Sequence, residues 1–473
     1  MNLEHHFASL GNGFSSRTQI QPLLEQRLVE FNPSLAAFLS IDIKSPVTKR
    51  LFNGEDTSLE SVSMVYAGHQ FGGFSPQLGD GRGVLLGEVR GEDGLLYDLH
   101  MKGAGPTPYS RRGDGRAVLR SCIREYLASE AMAALFVPSS RALALYDSRE
   151  AVYREAPEAG AMLLRVAQGH IRFGHFEYFF YQGKQVELEQ LIDYCLQHYY
   201  PECLATDSPL ENMLMEVVKR TARMIAKWQA VGFQHGVMNT DNFSFTGETI
   251  DYGPYGFMED YEPNWVCNHS DHEGRYAFSR QPGVGLWNLN CLMRCFSKHL
   301  ERGQLVAILQ CYEPELQDHY DQLMMKKMGL NAVQQVHDLL PSLLTLLTAE
   351  KMDYSVFFRL LSQMEKDDFP FLLDEVVDRQ RLLHWLKHYQ LARSEKNSQW
   401  SQVSASMLRV NPKFILRNYL AHNAILAAEQ GDYLPFRRLL NVLNHPFDEH
   451  PESDILAQRA PEWGRSLEVS CSS

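Results

Sequence analysis

One stretch constrains this chain more than any other: "HGVMNTDNFSFTGETIDYG", from His235 to Gly253. It places His235 and Asn242 on one loop, and Asp251 follows nine residues after Asn242, leading into Tyr252 and Gly253. An Asn on a loop and an Asp on the adjoining strand offer two hard oxygen ligands from one hairpin, the donors that a triphosphate-bound divalent cation takes. An ordinary turn ending in a strand Asp gives the same spacing. Asp241 is the only carboxylate between His235 and Asn242. It is the candidate general base, provided that it reaches a substrate hydroxyl.

Upstream lie the partners that such a loop needs. "LGDGRG" brings Gly79, Gly81 and Arg82, and glycines let backbone N–H groups approach phosphate closely. Asp80 in the same run would repel phosphate if it pointed inward. "GVLLGEVR" and "LYDLHMKG" read as two strands joined by the turn "GEDG", and the second ends at Lys102. Glu125 stands 23 residues later, in a segment where Leu119, Ile123, Tyr126 and Leu127 share one helical face. Asp114 is the expected N-cap of that helix; with Gly115 it also forms a second turn able to face a nucleotide. "LLRVAQGHIRFG" adds Arg165 and Arg172, a residue type that grips phosphate oxygens in pairs.

In this order the residues resemble the protein kinase set: Gly-rich segment, strand Lys, helix Glu, His loop, Asp-x-Gly. One position departs, because Val237 stands where a kinase loop carries its catalytic Asp. The expected fold is α+β and bilobal, protein-kinase-like, with a strand-rich N-lobe at residues 61–180 and a helical C-lobe at 181–395. Residues 1–60 and 396–473 are expected as N- and C-terminal extensions. "NMLMEVVKRTARMIAKWQAVGF", "GLWNLNCLMRCFSKHL" and "LVAILQCYEPELQDHYDQLMMKKMGL" each read as a helix, and the polar "LARSEKNSQWSQVSAS" reads as a linker. An apolar-periodic piece runs from about Leu23 to Phe38.

Composition narrows the partners. The 473 residues carry a formal charge of −13, so no global field draws nucleic acid or an anionic membrane. No run of 18 apolar residues occurs and the opening residues lack a secretory pattern, so a cytoplasmic location is expected. The eight cysteines show no CxxC pairing, which argues against a disulfide framework. Cys267, His269 and His272 have no fourth ligand at zinc-like spacing. They lie where a kinase has its activation segment, and Arg275 and Tyr276 there read as substrate-side or structural.

"MVYAGHQFGGFSPQLGDGRG", "DLHMKGAGPTPYSRRGDGRAVLRSCIREYL", "FQHGVMNTDNFS", "IDYGPYGF", "SDHEGRYAFSRQP" and the closing "CSS" together resemble the selenoprotein O family over nearly the whole chain. The resemblance implies a pseudokinase that binds ATP in reversed orientation. It transfers AMP to Ser, Thr or Tyr hydroxyls of proteins, itself included, and releases pyrophosphate. UTP in place of ATP is the alternative implied by bacterial relatives; a nucleotide-binding scaffold without catalysis is the other alternative. The resemblance makes Asp241 the proton acceptor and gives Mg²⁺, or Mn²⁺, to Asn242 and Asp251. It lines the nucleotide with Gly79, Gly81, Arg82, Lys102, Asp114, Gly115, Arg165, Arg172 and Asp251, and pairs Lys102 with Glu125. Many eukaryotic members carry selenocysteine where Cys471 stands here, and a redox pair of Cys471 with Cys267 is expected.

Overall fold

A computed structural model describes residues 2–56, 58, 60–364, 370–394 and 400–469. Its first half is built on an antiparallel sheet. The strands are β1 (Ser15–Arg17), β2 (Arg27–Phe31), β3 (Val62–Met64), β6 (Gly83–Arg90), β7 (Leu96–Lys102), β8 (Ala117–Val118), β9 (Arg141–Tyr153) and β10 (Pro157–Ala167). Their order is β1-β3-β6-β7-β10-β9-β2, with β8 paired to β10. A separate two-stranded hairpin, β4 (Gly68–Gln70) with β5 (Gly73–Ser75), projects from it. Residues before position 60 supply β1 and β2, and so close both edges of the sheet.

Period-two alternation splits the sheet into two faces. Leu99 and Met101 of β7 join Met162 and Leu164 of β10 in one apolar core, roofed by Leu35, Leu39, Leu51 and Phe52. The intervening residues of β7, among them His100 and Lys102, therefore face the other way. Leu163 of β10, the cross-strand partner of Lys102, lies in the second core with Cys122, Ile123 and Tyr126 of the helix Leu119–Ala134. The strand Lys and the helix Glu thus meet on the same side of the sheet.

Several local expectations are corrected. The apolar-periodic piece from Leu23 to Phe38 divides into two elements. It is β2 followed by the helix Pro33–Phe38, opened by Pro33 and capped by Asn32, whose Oδ1 accepts from the Leu35 N–H at 3.1 Å. Asp114 does not cap the Glu125 helix, because β8 intervenes and the helix opens at Leu119 after Val118. The long segment through Cys311 is two helices, Arg302–Leu309 and Tyr312–Lys327. Pro314 lies in the first turn of the second helix, where its missing N–H breaks no intrahelical hydrogen bond. Of the expected linker, both ends are helical, in Arg379–Ser394 and Trp400–Leu408; residues 395–399 lie outside the described residues.

The second half is helical. Pro209–Val231 ends at Gly232 in the left-handed region and turns directly into the loop that starts at His235. Two further helices, Asn418–Glu429 and Leu434–Asn444, return to pack against the Glu125 helix, with Phe436 edge-on to Tyr126 at 5.7 Å. Among the described residues, no helix is long and apolar enough to cross a membrane.

Candidate active site

The floor of the site is a hairpin. Phe233–Gln234 pairs antiparallel with Gly256–Phe257, which fixes the two ends of the stretch carrying Asp241 and Asp251. His235 is a clamp here: its Nε2 donates to the Ile250 carbonyl at 2.9 Å, and its ring packs on Trp228. Burial holds this imidazole below its ordinary pKa, and hence neutral. Asn242 Nδ2 donates to the Val237 carbonyl at 3.0 Å, which ties the loop back on itself and leaves Oδ1 as a free acceptor. Val237 lines the cleft with hydrocarbon where a carboxylate would otherwise stand.

The roof comes from the sheet. Lys102 Nζ donates to Glu125 Oε2 at 2.6 Å, and the Arg165 guanidinium grips both Glu125 oxygens, one of them at 2.9 Å. Burial pulls the Lys102 pKa down despite the opposing pull of Glu125. Arg165 also reaches Asp251 Oδ1 at 3.2 Å, and Arg172 binds Asp251 Oδ2. Burial alone would raise the Asp251 carboxyl, but Arg172 and Arg165 outweigh it and hold the group well below the usual carboxylate range. Arg172 further donates to the Asp241 carbonyl at 2.8 Å and lies 4.9 Å from the centre of the Tyr66 ring.

Asp241 is the contrasting carboxylate. Burial pushes it up to about 6, a rise that the Gln70 hydrogen bond and Arg172 only partly offset. Its Oδ2 accepts from Gln70 Nε2 at 3.0 Å, while Oδ1 is buried with no partner. An orphaned buried carboxylate oxygen is costly unless a ligand completes it.

The Gly-rich turn resolves the question of Asp80. Asp80 stands on the cleft wall, but its carboxylate is tied to the sheet, accepting from the Met64 N–H at 3.0 Å and meeting His100 at 3.3 Å. In the second turn Gly115 has φ +68, and a Cβ there would lie 2.0 Å from the Gly105 carbonyl oxygen. Asp114 lines the cleft but already holds Arg154, at 2.8 and 3.0 Å.

The structure brings Gly79, Gly81, Arg82, Lys102, Asp114, Gly115, Glu125, Arg165, Arg172, Asp241, Asn242 and Asp251 onto the wall of a single cleft of about 670 Å³. The oxygen-rich set of Asp251, Asn242 and Asp241 suits a hard divalent cation. Cys267 lies outside this cleft, buried with its thiol 2.8 Å from the Pro254 carbonyl. Cys471 lies outside the described residues; Val469 accepts from the His269 N–H at 2.8 Å, so the chain passes beside the Cys267 segment two residues earlier. Among the described residues, Cys267, His269 and His272 do not form a metal-sized cluster.

Sequence reasoning missed the hairpin β4–β5, which bends over the loop. It supplies Gln70, and its His69 N–H donates to Thr240 Oγ1 at 2.7 Å. Glu177, on the helix Phe173–Tyr181, was missed too; it is fully buried and accepts from Thr240 Oγ1 at 2.5 Å. The available signals were a lone acid in the aromatic run "FGHFEYFFY" and the glycines that flank "HQF".

Comparison with known proteins fits this cleft. The family model described as "Protein adenylyltransferase SelO" matches residues 1–444. The chain is 84% identical over 473 residues, all of both chains, to "Protein nucleotidyltransferase YdiU" of Marinomonas sp. (strain MWYL1). The protein of the same name from Pseudoalteromonas atlantica (strain T6c / ATCC BAA-1087) is 47% identical over 481 residues, again all of both chains. That from Vibrio vulnificus (strain YJ016) is 48% identical over 479 residues, covering 99% of this chain and 98% of the relative. The molecule is thus an enzyme, a nucleotidyltransferase. More narrowly, the chain belongs to the SelO family.

Proposed function

We propose that the cleft transfers AMP from ATP to Ser, Thr or Tyr hydroxyls of proteins, with the triphosphate bound back to front in a bilobal, kinase-like frame. Residues 61–180 form the strand-rich lobe in this reading and 181–395 the helical lobe, with 1–60 and 396–473 as extensions. The observation that carries it is the division of charge in one cavity. Lys102, Arg165 and Arg172 form ion pairs with Glu125 and Asp251, while the Asp241 carboxylate on the same wall makes no ion pair among the described residues and keeps one oxygen without a partner, with Val237 in place of a kinase base.

Asp241 accepts the proton as the acceptor hydroxyl oxygen attacks the α-phosphorus. A new P–O bond to the protein forms, the bond from the α-phosphorus to the bridging oxygen breaks, and the electron pair leaves on pyrophosphate. Lys102, Arg165, Arg172 and Arg82 offset the charge that builds there, as preorganised cations do in a site shielded from water. Gly79, Gly81, Asp114 and Gly115 shape the nucleotide walls. Mg²⁺ or Mn²⁺, held by Asn242 and Asp251, would neutralise phosphate charge.

ATP labelled at the α-phosphate should mark a protein acceptor, or the enzyme itself, while γ-labelled ATP should not. Label arriving only from the γ position overturns the reading, and α-labelled UTP run in parallel ranks the two nucleotides. Cys267 and Cys471 belong to the proposal as a redox pair. After a thiol oxidant, non-reducing mass spectrometry should recover them in one cross-linked peptide, and two separate thiols would remove that part.

A further inference from the structure

The base is finished by a part of the chain far from it. Gln70 and Asp241 are 171 positions apart, yet Gln70 Nε2 lies 3.0 Å from Asp241 Oδ2. An ionised carboxylate only accepts, which selects the NH2 side of the Gln70 amide, and Ser75 Oγ, on the other strand of the hairpin, faces Gln70 Oε1 at 3.5 Å. This leaves Nε2 as the group aimed at the carboxylate.

The hairpin is locked to the loop on both sides of that contact. On one side, Thr240 Oγ1 receives the His69 N–H and donates to the buried Glu177, whose other oxygen meets His69 Nδ1 at 2.5 Å. On the other, the Phe71 N–H donates to Asn239 Oδ1 and to Tyr276 Oη, both at 3.0 Å. Phe71 takes the left-handed backbone, φ +49, to do so. A non-glycine residue in that region costs of order 1–3 kcal/mol and persists where its surroundings over-determine it. Gly68 presses on the carboxylate itself, since a Cβ there would stand 2.5 Å from Asp241 Oδ1.

We infer that Gln70 is a positioning residue for the transfer reaction: by donating to Asp241 Oδ2 while Gly68 packs against the buried Oδ1, it fixes the carboxylate in the orientation from which it takes the proton. This inference rests on the adenylyl-transfer reading and adds to it a residue that acts through Asp241. Thr240, Glu177 and His69 form the anchor that keeps the hairpin, and Gln70 with it, in register.

The test separates hydrogen bonding from packing. Gln70→Met keeps the side-chain length and removes the donor; Gln70→Ala removes both. Initial rates with α-labelled ATP and a protein acceptor should show kcat reduced roughly 10²-fold in both variants, the loss expected when a reacting group is misplaced by about 1 Å. KM for ATP and the melting temperature should stay at wild-type values. Gly68→Ala, which pushes on Oδ1 from the other side, should lower kcat with the same signature. Wild-type kcat in Gln70→Met overturns the inference, as does a change confined to KM for ATP, which would make Gln70 a nucleotide contact. A wild-type chain that transfers no label from either phosphate, run beside Asp241→Asn as the blank, overturns the transfer reading and this inference with it.

Discussion

Asp241 and Asp251 are two buried carboxylates in one cleft, and their surroundings push them in opposite directions. Asp241 is raised to about 6 and Asp251 is held far below its ordinary range. A base must be ionised to accept a proton, so the acid limb of kcat/KM should fall near pH 6 and not near 4; a flat profile down to pH 4.5 would remove Asp241 from the role. The two residues also part company in stability. A carboxylate whose folded pKa exceeds its unfolded value of 3.8 costs stability as pH rises through that window, here about 3 kcal/mol once both states are ionised. Asp241→Asn should therefore abolish transfer yet raise Tm by a few degrees at pH 7, with the gain gone below about pH 4. Asp251→Ala should abolish transfer and lower stability by about 3–5 kcal/mol, because it leaves Arg172 a buried cation without its carboxylate, while Arg165 keeps only Glu125. Differential scanning calorimetry without nucleotide checks both signs.

At the level of elements, the legible parts were those with their own periodicity or order. Lys102 at a strand end and Glu125 on a helix face could be read because each sits in a strong pattern, and the structure joins them at 2.6 Å. Asp114 misled, since a capping residue and a turn residue look alike in sequence, and the two-residue strand that separates it from the helix has no pattern to read. The hairpin β4–β5 was opaque for a similar reason. Its strands are three residues long, too short for alternation to show, and its purpose lies in contacts with Asn239, Thr240 and Asp241. Gly115→Ala tests the other turn. With φ +68 and a carbonyl oxygen 2.0 Å from the added carbon, the turn must move. Nucleotide affinity measured by calorimetry should fall while the Glu125 helix remains, as circular dichroism would report.

Over the whole molecule, the last helices brace the site from behind. Phe436 is fully buried against Tyr126, and two residues before Tyr126 Arg124 donates to the Tyr255 carbonyl at 3.0 Å, four residues past Asp251. The helix that carries Glu125 is thereby fastened both to the C-terminal helices and to the segment just after Asp251. Phe436→Ala should cost about 3–5 kcal/mol in denaturant unfolding, and the same variant should lose transfer activity before it loses fold. In sequence this region reads only as a C-terminal extension, with no mark of the surface that its helices cover.

The pairing of Asp251 with two guanidinium groups has a consequence for how the cleft fills. A divalent ion arriving alone must displace two tethered cations, one of which, Arg172, makes its only ion pair among the described residues with Asp251, whereas a triphosphate offers those arginines a replacement anion. Ion and nucleotide should therefore enter as mutual accomplices. Mn²⁺ titrated into the empty enzyme should bind markedly more weakly than Mn²⁺ titrated after a non-hydrolysable nucleotide, with the reciprocal enhancement of nucleotide binding that linkage demands.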